Sequence, residues 1–524
     1  MRHPWDQRLG VWWIAEDRPE APAIVAAPSG RTPTFGELVE AAHQVANALR
    51  AHGFGYGDVV AYALPNDVDA IVWQLATTEI GLRYISLNTA LSADEFAAIL
   101  QHSGAGALVT HMDYLDRFPD TASAAALRVV VGADAGLATP AGFIAEPDLL
   151  AGQPTTPPAD RRQGDSIRYS SGTTGKPKGI VRPLDGRDPA EAANAMAVFG
   201  RAFSFLPFDG AHLVSTGMHH GGCQSFYLGA LNVGQPLAIL GRFDAEQTLA
   251  TIEAHAVTTA YMVPTQFVRM LKLPPEVRDR YNVSSLKSVV HSAAPCPLQV
   301  KKDMMAWWGP VIWETYGGTE GAATVAKPNR WLEKPGTAGR TIRGMTVKIL
   351  DDEGNRLPAN VIGNVYIERE DGQRFEYRND AELTASVHRG AAFTIGDMGY
   401  LDDDGYLFIC DRAKDMIISG GVNIYPAEVE GVLSSHPAVG DVAVIGIPDP
   451  EWGEQVKAVV ELVAGTEPSE ELAQDIIAYG RARLAGFKCP RSVDFASALP
   501  RTEAGKLIKR QIRETYWAGA GRQV

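Results

Sequence analysis

Cysteine is scarce in this chain, and its distribution argues against two kinds of cross-linked fold. The 524 residues include four cysteines, Cys223, Cys296, Cys410 and Cys489, which lie far apart and form no Cys-x-x-Cys pair. Neither a disulfide framework nor a cysteine-based zinc site is indicated. We therefore expect a protein of the reducing cytoplasm.

Long apolar runs and an excess of basic charge are also lacking. No uninterrupted hydrophobic stretch is long enough to span a bilayer, and the first residues do not form the apolar core of a secretion signal. The formal net charge is −14 at pH 7, whereas nucleic acids and anionic membranes call for a basic protein surface. We expect no membrane span and no nucleic-acid partner, and a polyanionic ligand would need a local basic site.

The length of the chain exceeds what one hydrophobic core supports and suggests several domains. Capped helical patterns alternate with short apolar strands over residues 34–110 and again over 213–292, which predicts parallel sheets with crossover helices. Short strands with turn signals follow residue 334. The predicted fold class is α/β. It has a large N-terminal body of two α/β units plus a β-rich subdomain, residues 1–411, and a small mobile α+β C-terminal domain, residues 412–524.

The most distinctive segment runs from Tyr169 to Gly179 and combines glycines, small hydroxyl residues and lysines. A P-loop is disfavoured because Gly172 and Gly175 are too close together and Pro177 stands where a P-loop requires a hydroxyl residue. A flexible loop that surrounds a polyphosphate fits better than an ordinary surface loop, the alternative for these residue types. The candidate phosphate-binding residues are Ser170, Ser171, Gly172, Thr173, Thr174, Gly175, Lys176 and Lys178.

Four further segments follow in order: 315–320, 395–400, 411–428 and 500–506. Together with the glycine-rich loop they resemble the motifs of the adenylate-forming superfamily, which contains acyl-CoA synthetases, firefly luciferase and the adenylation domains of nonribosomal peptide synthetases. The resemblance covers nearly the whole chain. It implies that a carboxylate attacks the α-phosphate of ATP, giving an acyl-adenylate and pyrophosphate, and that a thiol then displaces AMP. ATP, Mg²⁺ and coenzyme A are the cofactors that it implies.

The resemblance also assigns catalytic and nucleotide-binding roles. Glu320 and Thr174 would bind Mg²⁺, Thr319 would bind the α-phosphate, and Lys506 would bridge the acyl carboxylate and the α-phosphate. Taken alone, Glu320 could be a solvated carboxylate and Lys506 part of a solvated basic tail. The implied adenine- and ribose-binding residues are Ser292, Ala293, Ala294, Pro295, Thr315, Tyr316, Gly317, Asp397 and Arg412.

Lys414 occupies the position of the family's hinge. The resemblance implies that the C-terminal domain rotates about it, withdrawing Lys506 and bringing in the loop that starts at Ser419. Small residues there, Gly420 and Gly421, would leave room for the pantetheine arm of coenzyme A.

The segment 215–225 is the predicted acyl site. His220 aligns with a histidine of acyl-CoA synthetases, whereas His219 replaces their usual aromatic residue, and plain packing explains His219 as well as substrate contact does. We expect Gly221 and Gly222 to leave enough width in the acyl site for a bulky or long apolar acid. The candidate substrate-binding residues are His219, His220, Gly221, Gly222 and Gly318.

Amino-acid-activating relatives need an aspartate near this loop to pair with the substrate ammonium. Phe208 and Asp209 resemble their Phe-Asp pair but lie before the strand, so we interpret Asp209 as a turn residue and favour a substrate without an amino group. Fatty, aryl-alkanoic and sterol-derived acids stay open, with lipid-like acids preferred.

The sequence therefore predicts an AMP-forming acyl-CoA synthetase. One alternative is a ligase that loads the phosphopantetheine of a carrier protein, which the lack of an obvious insertion over 321–382 disfavours. A nucleotide-binding protein without catalysis is disfavoured by the presence of Lys506, Glu320 and Asp397. The oligomeric state stays open, with a homodimer as one alternative.

Overall fold

The computed structural model of the chain describes residues 4–117, 125–133, 139, 142–170, 178–501 and 507–518. In these residues the α-helices, in chain order, are α1 (Val11–Asp17), α2 (Phe35–Ala51), α3 (Val68–Glu79), α4 (Ala93–Ser103), α5 (Glu146–Leu150), α6 (Pro189–Ala202), α7 (Gly221–Asn232), α8 (Ala245–Ala254), α9 (Pro264–Leu271), α10 (Pro275–Arg278), α11 (Leu298–Trp308), α12 (Pro328–Glu333), α13 (Ala381–Val387), α14 (Pro426–Leu433), α15 (Glu470–Arg481) and α16 (Lys509–Trp517).

The strands of the first 291 residues are β1 (Ile24–Ala26), β2 (Val59–Ala63), β3 (Arg83–Ser86), β4 (Ala107–His111), β5 (Leu127–Val131), β6 (Ile144–Ala145), β7 (Asp165–Ser166), β8 (Arg168–Ser170), β9 (Lys178–Val181), β10 (Ala211–Val214), β11 (Leu237–Ile239), β12 (Val257–Met262) and β13 (Ser288–His291). The later strands are β14 (Ile312–Gly318), β15 (Gly321–Ala326), β16 (Arg340–Thr341), β17 (Met345–Leu350), β18 (Gly363–Arg369), β19 (Glu376–Tyr377), β20 (His388–Arg389), β21 (Ala392–Leu401), β22 (Leu407–Arg412), β23 (Ile417–Ser419), β24 (Val422–Ile424), β25 (Val439–Asp449), β26 (Gly453–Leu462) and β27 (Ser492–Ala496).

The chain divides into two compact units. The first comprises residues 1–262, 272–291 and 373–386, and the second comprises 263–271, 292–372 and 387–524. The domain boundary predicted at residue 412 lies inside the second unit and stays a prediction. No helix of the described residues is long and apolar enough to cross a membrane.

Parallel sheets form the core of the first unit, as the alternating sequence pattern predicts. One sheet has the order β6-β5-β4-β2-β3-β7, and β1-β11-β10-β12-β13 are likewise parallel neighbours. All five residues of β2 are buried, which is typical of a parallel strand covered on both faces. Capping boxes at Thr34 and Ser92 begin α2 and α4, within residues 34–110, where the sequence predicts capped helices.

A small antiparallel sheet, β19-β9-β8, completes the first unit. It joins strands that are distant in the sequence, since Tyr377 pairs with Ile180 and Arg168 pairs with Ile180 from the other side. This sheet carries both ends of the glycine-rich loop.

Antiparallel strands dominate the second unit. They form the ribbon β14-β15-β16, a sheet of β17-β18-β21-β20 with β22 beside β21, and a C-terminal sheet of β24-β23-β26-β25 with β27 beside β26. Apolar side chains of α14, α15 and α16 pack on the C-terminal sheet, among them Leu433, Ile476 and Ile512. The predicted β-rich region and the mixed α+β C-terminal region are both present.

Candidate active site

The glycine-rich loop connects two paired strands. Ser170 pairs with Lys178 and Tyr169 with Gly179, so the backbone of β8 and β9 holds the two ends of the loop together. A Cβ on Gly179 would lie 2.9 Å from Cζ of Tyr169, and glycine therefore lets the tyrosine ring lie across the strand. Residues 171–177 are outside the described residues, as is the side chain of Ser170, and the phosphate-binding role of this loop stays a prediction.

A tyrosine–histidine contact fixes the base of this loop. The hydroxyl of Tyr169 lies 2.8 Å from Nδ1 of His102. Burial raises the pKa of Tyr169 to about 12, while burial and the Arg378 guanidinium lower the pKa of His102. At neutral pH the phenol is therefore protonated and the imidazole is neutral. The backbone N–H of Arg378 donates to the carbonyl of Gly179 at 2.7 Å, so β19 supports the loop from its other side.

Thr319 and Glu320 form the two-residue turn between β14 and β15. A Cβ on Gly317 would lie 2.3 Å from the carbonyl oxygen of Gly321, and a Cβ on Gly318 would lie 2.5 Å from Oε2 of Glu320. Glycine is therefore needed at position 317 for the close approach of the two strands, and at position 318 it lets the Glu320 carboxylate fold back over the backbone. Thr315 is buried, and its hydroxyl donates to the carbonyl of Thr324 at 2.8 Å, which fixes the hairpin below its tip.

Tyr316 of β14 meets Asp397 and Arg412, which lie on the paired strands β21 and β22 of the second unit. The hydroxyl of Tyr316 donates to Oδ2 of Asp397 at 2.8 Å, and Nε of Arg412 lies 3.4 Å from Oδ1 of the same carboxylate. Asp397 and Arg412 also face each other as backbone partners in β21 and β22. The structure thus brings together three of the residues that the resemblance assigns to adenine and ribose.

The segment 292–295 follows β13 directly in the chain. Ala293 has φ of 74°, a left-handed conformation that a residue with a Cβ rarely adopts. Such strained backbone persists where the surroundings fix it, and it is often found at binding sites. The place of Ser292, Ala294 and Pro295 at the adenine stays a prediction.

A buried ion pair next to the hairpin was not predicted from the sequence. The ammonium of Lys301, in α11, is fully buried and lies 2.6 Å from Oε2 of Glu314, at the start of the motif strand β14. The same ammonium lies 4.5 Å from the centre of the Trp331 ring. The pair anchors the strand that carries Tyr316 and Glu320, and no local sequence signal distinguishes Lys301 from the exposed Lys302 beside it.

His219 and His220 lie side by side at the start of α7, in the predicted acyl site. Their ring centroids are 4.0 Å apart. Burial lowers the pKa of His220 to about 4, and burial together with His220 lowers the pKa of His219 well below its ordinary value. Both imidazoles are therefore neutral at neutral pH. A Cβ on Gly217 would lie 2.5 Å from the His219 ring, so glycine at this position makes room for the histidine.

Asn66 holds the turn that precedes the two histidines. Its Nδ2 donates to the carbonyls of Thr216 at 3.1 Å and Leu240 at 3.2 Å, and its Oδ1 accepts from the N–H of Met218 at 2.8 Å. The side chain therefore uses both ends of its amide to fix the path of the acyl loop. Sequence reasoning missed this residue, which is 150 positions away from Thr216.

Neighbouring side chains lie beside Gly221 and Gly222, and the width expected there for the acyl group stays a prediction. A Cβ on Gly221 would lie 3.1 Å from Cδ of Arg168, and a Cβ on Gly222 would lie 2.5 Å from the hydroxyl of Tyr261. The two glycines admit these neighbouring side chains. A guanidinium and a phenol consequently lie along the first turn of α7.

Lys414 lies in the turn between β22 and β23, and Gly420 and Gly421 form the turn between β23 and β24. The two glycines have φ of 58° and 79°, the conformation of a tight hairpin that favours glycine. A Cβ on Gly420 would lie 2.4 Å from the Trp452 ring, which is 41% exposed. Ser419 faces Gly453 of β26. The loop predicted to admit the pantetheine arm is therefore a tight hairpin beside an exposed tryptophan ring.

Lys506 falls outside the described residues, and its role stays a prediction. The structure describes the residues on either side, where Arg501 and Leu507 form an antiparallel bridge and the N–H of Ile508 donates to the carbonyl of Pro500 at 2.8 Å. The two ends of the short segment that contains Lys506 are thus held together at the start of α16.

The donor set suits a magnesium ion shared with a ligand. The Glu320 carboxylate offers the hard oxygen that Mg²⁺ prefers. Thr174, the other residue predicted to bind the ion, lies outside the described residues. Within the described part of the chain, no group of three or more His, Cys, Asp or Glu residues could hold a metal. These residues fit an ion that Glu320 would hold together with phosphate oxygens, and they do not form an all-protein metal cage.

Comparison with known proteins agrees with this arrangement. A family model described as AMP-binding enzyme matches residues 11–372, and one described as AMP-binding enzyme C-terminal domain matches residues 428–506. The chain is 32% identical to a feruloyl-CoA synthase of Amycolatopsis sp, over 98% of this chain and 99% of that protein. It is 30% identical to the fatty acid–[acyl-carrier-protein] ligase ScoC of Streptomyces coeruleorubidus, over 100% and 99%. The crystal structure of the anthranilate CoA ligase AuaEII in complex with anthranoyl-AMP is similar with a TM-score of 0.86 and 26% identity, covering 99% of this chain and all of that one.

Proposed function

The chain belongs to the family of AMP-binding enzymes, and we propose that it activates a lipid-like carboxylic acid and transfers the acyl group to coenzyme A. It is an acid–thiol ligase that forms AMP, with a small-molecule acid, ATP and a thiol as its substrates. The cluster of Tyr316, Asp397 and Arg412 carries the proposal, because a fixed buried carboxylate beside an aromatic ring suits a ribose and its base.

In the first half-reaction, an oxygen of the substrate carboxylate attacks the α-phosphorus of ATP and the bond to the β-phosphate oxygen breaks. The products are acyl-adenylate and pyrophosphate. Two anions approach each other in this step, so the site must supply positive charge and donors aimed at the phosphates. Lys506 would bridge the carboxylate and the α-phosphate, while Thr319 at the hairpin tip would donate to the α-phosphate. The loop after Tyr169 would hold the departing pyrophosphate.

Mg²⁺ would be held by Glu320, with Thr174 beside it, and when bound it would neutralise charge on the phosphate oxygens. Glu320 is suited to this role by its place on a tight turn, where the two strands of the hairpin fix its backbone. Gly318 keeps space for the carboxylate to fold back.

In the second half-reaction, the thiol sulfur attacks the acyl carbonyl carbon and AMP leaves. The hairpin of Ser419, Gly420 and Gly421 would approach the adenylate after rotation about Lys414. The exposed ring of Trp452 beside Gly420, with the Arg491 guanidinium 5.3 Å from the ring centre, offers an aromatic and cationic surface for the thiol substrate.

The side chains in and near the acyl loop favour an apolar substrate acid that carries no amino group. Both imidazoles are half-buried and neutral at neutral pH, so His219 and His220 present no charge to the substrate. Asp209, the one carboxylate that resembled an ammonium-binding residue, is engaged by Lys287, whose Nζ lies 2.8 Å from each of its oxygens. Arg168 and Tyr261 line the first turn of α7, so lipid-like acids that also carry an oxygen substituent belong among the substrates tested.

A panel of acids incubated with ATP tests this proposal. Fatty, aryl-alkanoic and sterol-derived acids are compared by pyrophosphate release, with and without coenzyme A, and the products are identified by mass. We expect acid-dependent pyrophosphate, and an acyl-CoA once coenzyme A is present. Pyrophosphate with no acyl-CoA would favour loading of a carrier protein, the activity in the name of the relative from S. coeruleorubidus. Turnover of short polar acids alone would contradict the lipid-like class.

A further inference from the structure

The chain on the N-terminal side of Lys414 is fixed to a strand. Arg412, in β22, pairs with Asp397 in β21, and the backbone N–H of Ala413 donates to the carbonyl of Gly396 at 3.0 Å. The backbone is therefore held to β21 up to residue 413.

The chain on the C-terminal side of Lys414 is fixed to the C-terminal helices. Nη1 of Arg513, in α16, donates to the carbonyl of Lys414 at 2.9 Å. In α14, Glu430 accepts from the N–H of Val444 at 2.7 Å and pairs with Nζ of Lys509 at 2.8 Å. Rotation about the two soft backbone bonds of Lys414 carries its carbonyl along with the residues that follow. Arg513 and the whole of α14 therefore belong to the segment that would turn.

A buried carboxylate on the N-terminal side of Lys414 accepts a hydrogen bond from a residue on its C-terminal side. Asp411, in β22, is 8% exposed, and its Oδ2 accepts from the N–H of Ala427 at 2.7 Å. Ala427 is the second residue of α14, whose N-cap residue Tyr425 makes no side-chain cap hydrogen bond. Asp411 belongs to the β21–β22 sheet and thus caps α14, a helix of the C-terminal segment, which is the part of the chain that follows Lys414. Its other oxygen accepts from the N–H of Arg412 at 2.7 Å, which fixes the direction of the carboxylate.

We propose that Asp411 is a positioning residue that latches the C-terminal segment against the β21–β22 sheet, and that this cap opens when the segment turns about Lys414. The proposal rests on the proposed function, because it takes Lys414 as the hinge between two half-reactions. Each half-reaction needs its own arrangement of the segment. Loss of the cap destabilises one arrangement relative to the other, so it changes the ratio of the two rates.

Asp411→Ala in the full chain tests the latch, with an acid that the wild-type chain activates. Adenylation is measured as acid-dependent exchange of labelled pyrophosphate into ATP, and thioester formation as consumption of coenzyme A from supplied acyl-adenylate. We expect the ratio of the two rates to change about fivefold, the shift in equilibrium that the loss of one helix cap produces. Asp411→Asn should keep the ratio close to that of the wild type, because asparagine caps a helix as well as aspartate does.

Ser469→Ala is the matched control. Ser469 caps α15 in the same segment, accepting from the N–H of Leu472 at 3.1 Å, so its loss costs similar helix stability and should leave the ratio unchanged. The latch is overturned if Asp411→Ala lowers both rates by one factor, if it changes the ratio no more than Ser469→Ala, or if Asp411→Asn behaves like Asp411→Ala. A wild-type chain that performs neither half-reaction overturns the proposed function and the latch with it.

Discussion

The hydroxyl of Tyr316 donates to Oδ2 of Asp397 at 2.8 Å and so links the β14–β15 hairpin to β21. Burial and the neighbouring Asp397 raise the pKa of Tyr316 well above its ordinary value, which keeps the phenol protonated and donating at neutral pH. Arg412 lies at the other carboxylate oxygen. The side chains of Tyr316 and Arg412 therefore orient the carboxylate of Asp397, which the resemblance assigns to the ribose.

Tyr316→Phe should raise KM for ATP by roughly tenfold, because a hydrogen bond to a charged group contributes about 1.5–3 kcal/mol. Steady-state kinetics with ATP varied measures the effect. Tyr400→Phe is the control, since Tyr400 lies in the same strand as Asp397 and stacks on Phe408. Equal changes in the two variants would contradict a specific role for the Tyr316 hydroxyl.

Asn66→Ala should raise KM for the carboxylic acid while leaving KM for ATP near the wild-type value. The substitution removes three hydrogen bonds to the turn before His219, so the acyl loop loses its fixed path. Varying each substrate in turn separates the two constants. A change in KM for ATP alone would show that Asn66 does not act through the acyl loop.

Long-range contacts mark the limit of what the sequence predicts. The caps at Thr34 and Ser92, the alternation of strands and helices and the order of the motifs are local signals, and the corresponding elements are present. The role of Asn66 depends on residues far along the chain, so no local pattern could indicate it. The neighbours of Gly221 and Gly222 could not be predicted for the same reason, because Arg168 and Tyr261 come from distant strands.

Lys301→Met should lower the free energy of unfolding by about 3–5 kcal/mol, since it removes the fully buried ammonium of the ion pair with Glu314. Denaturant unfolding measures the change. Lys302→Met, at the exposed neighbouring position, is the control and should change stability little. A double variant, Lys301→Met with Glu314→Leu, should regain part of the loss because no buried charge is then left without a partner.

Acidification should destabilise the acyl site through His220. Burial lowers the pKa of this histidine to about 4 in the folded chain, below the ordinary value of about 6.5. The unfolded chain therefore binds the proton first, so the stability from neutral His220 is complete above pH 6.5 and is lost as the pH falls from 6.5 through 4.

Unfolding by urea at a series of pH values between 7.5 and 4 measures this dependence. His220→Gln should lose less stability over that range than the wild type does. His52→Gln, which changes an exposed histidine, should follow the wild-type curve. Identical curves for His220→Gln and the wild type would contradict the assignment of a neutral imidazole at this position.

The central claim is that one chain performs two half-reactions and that Lys506 serves the first of them. The direct test is Lys506→Ala, assayed for acid-dependent pyrophosphate release and, separately, for thioester formation from supplied acyl-adenylate and coenzyme A, with the exposed Arg510→Ala as the control. The account predicts that Lys506→Ala abolishes pyrophosphate release and largely spares thioester formation, while Arg510→Ala affects neither. Equal loss of both half-reactions in Lys506→Ala would contradict it.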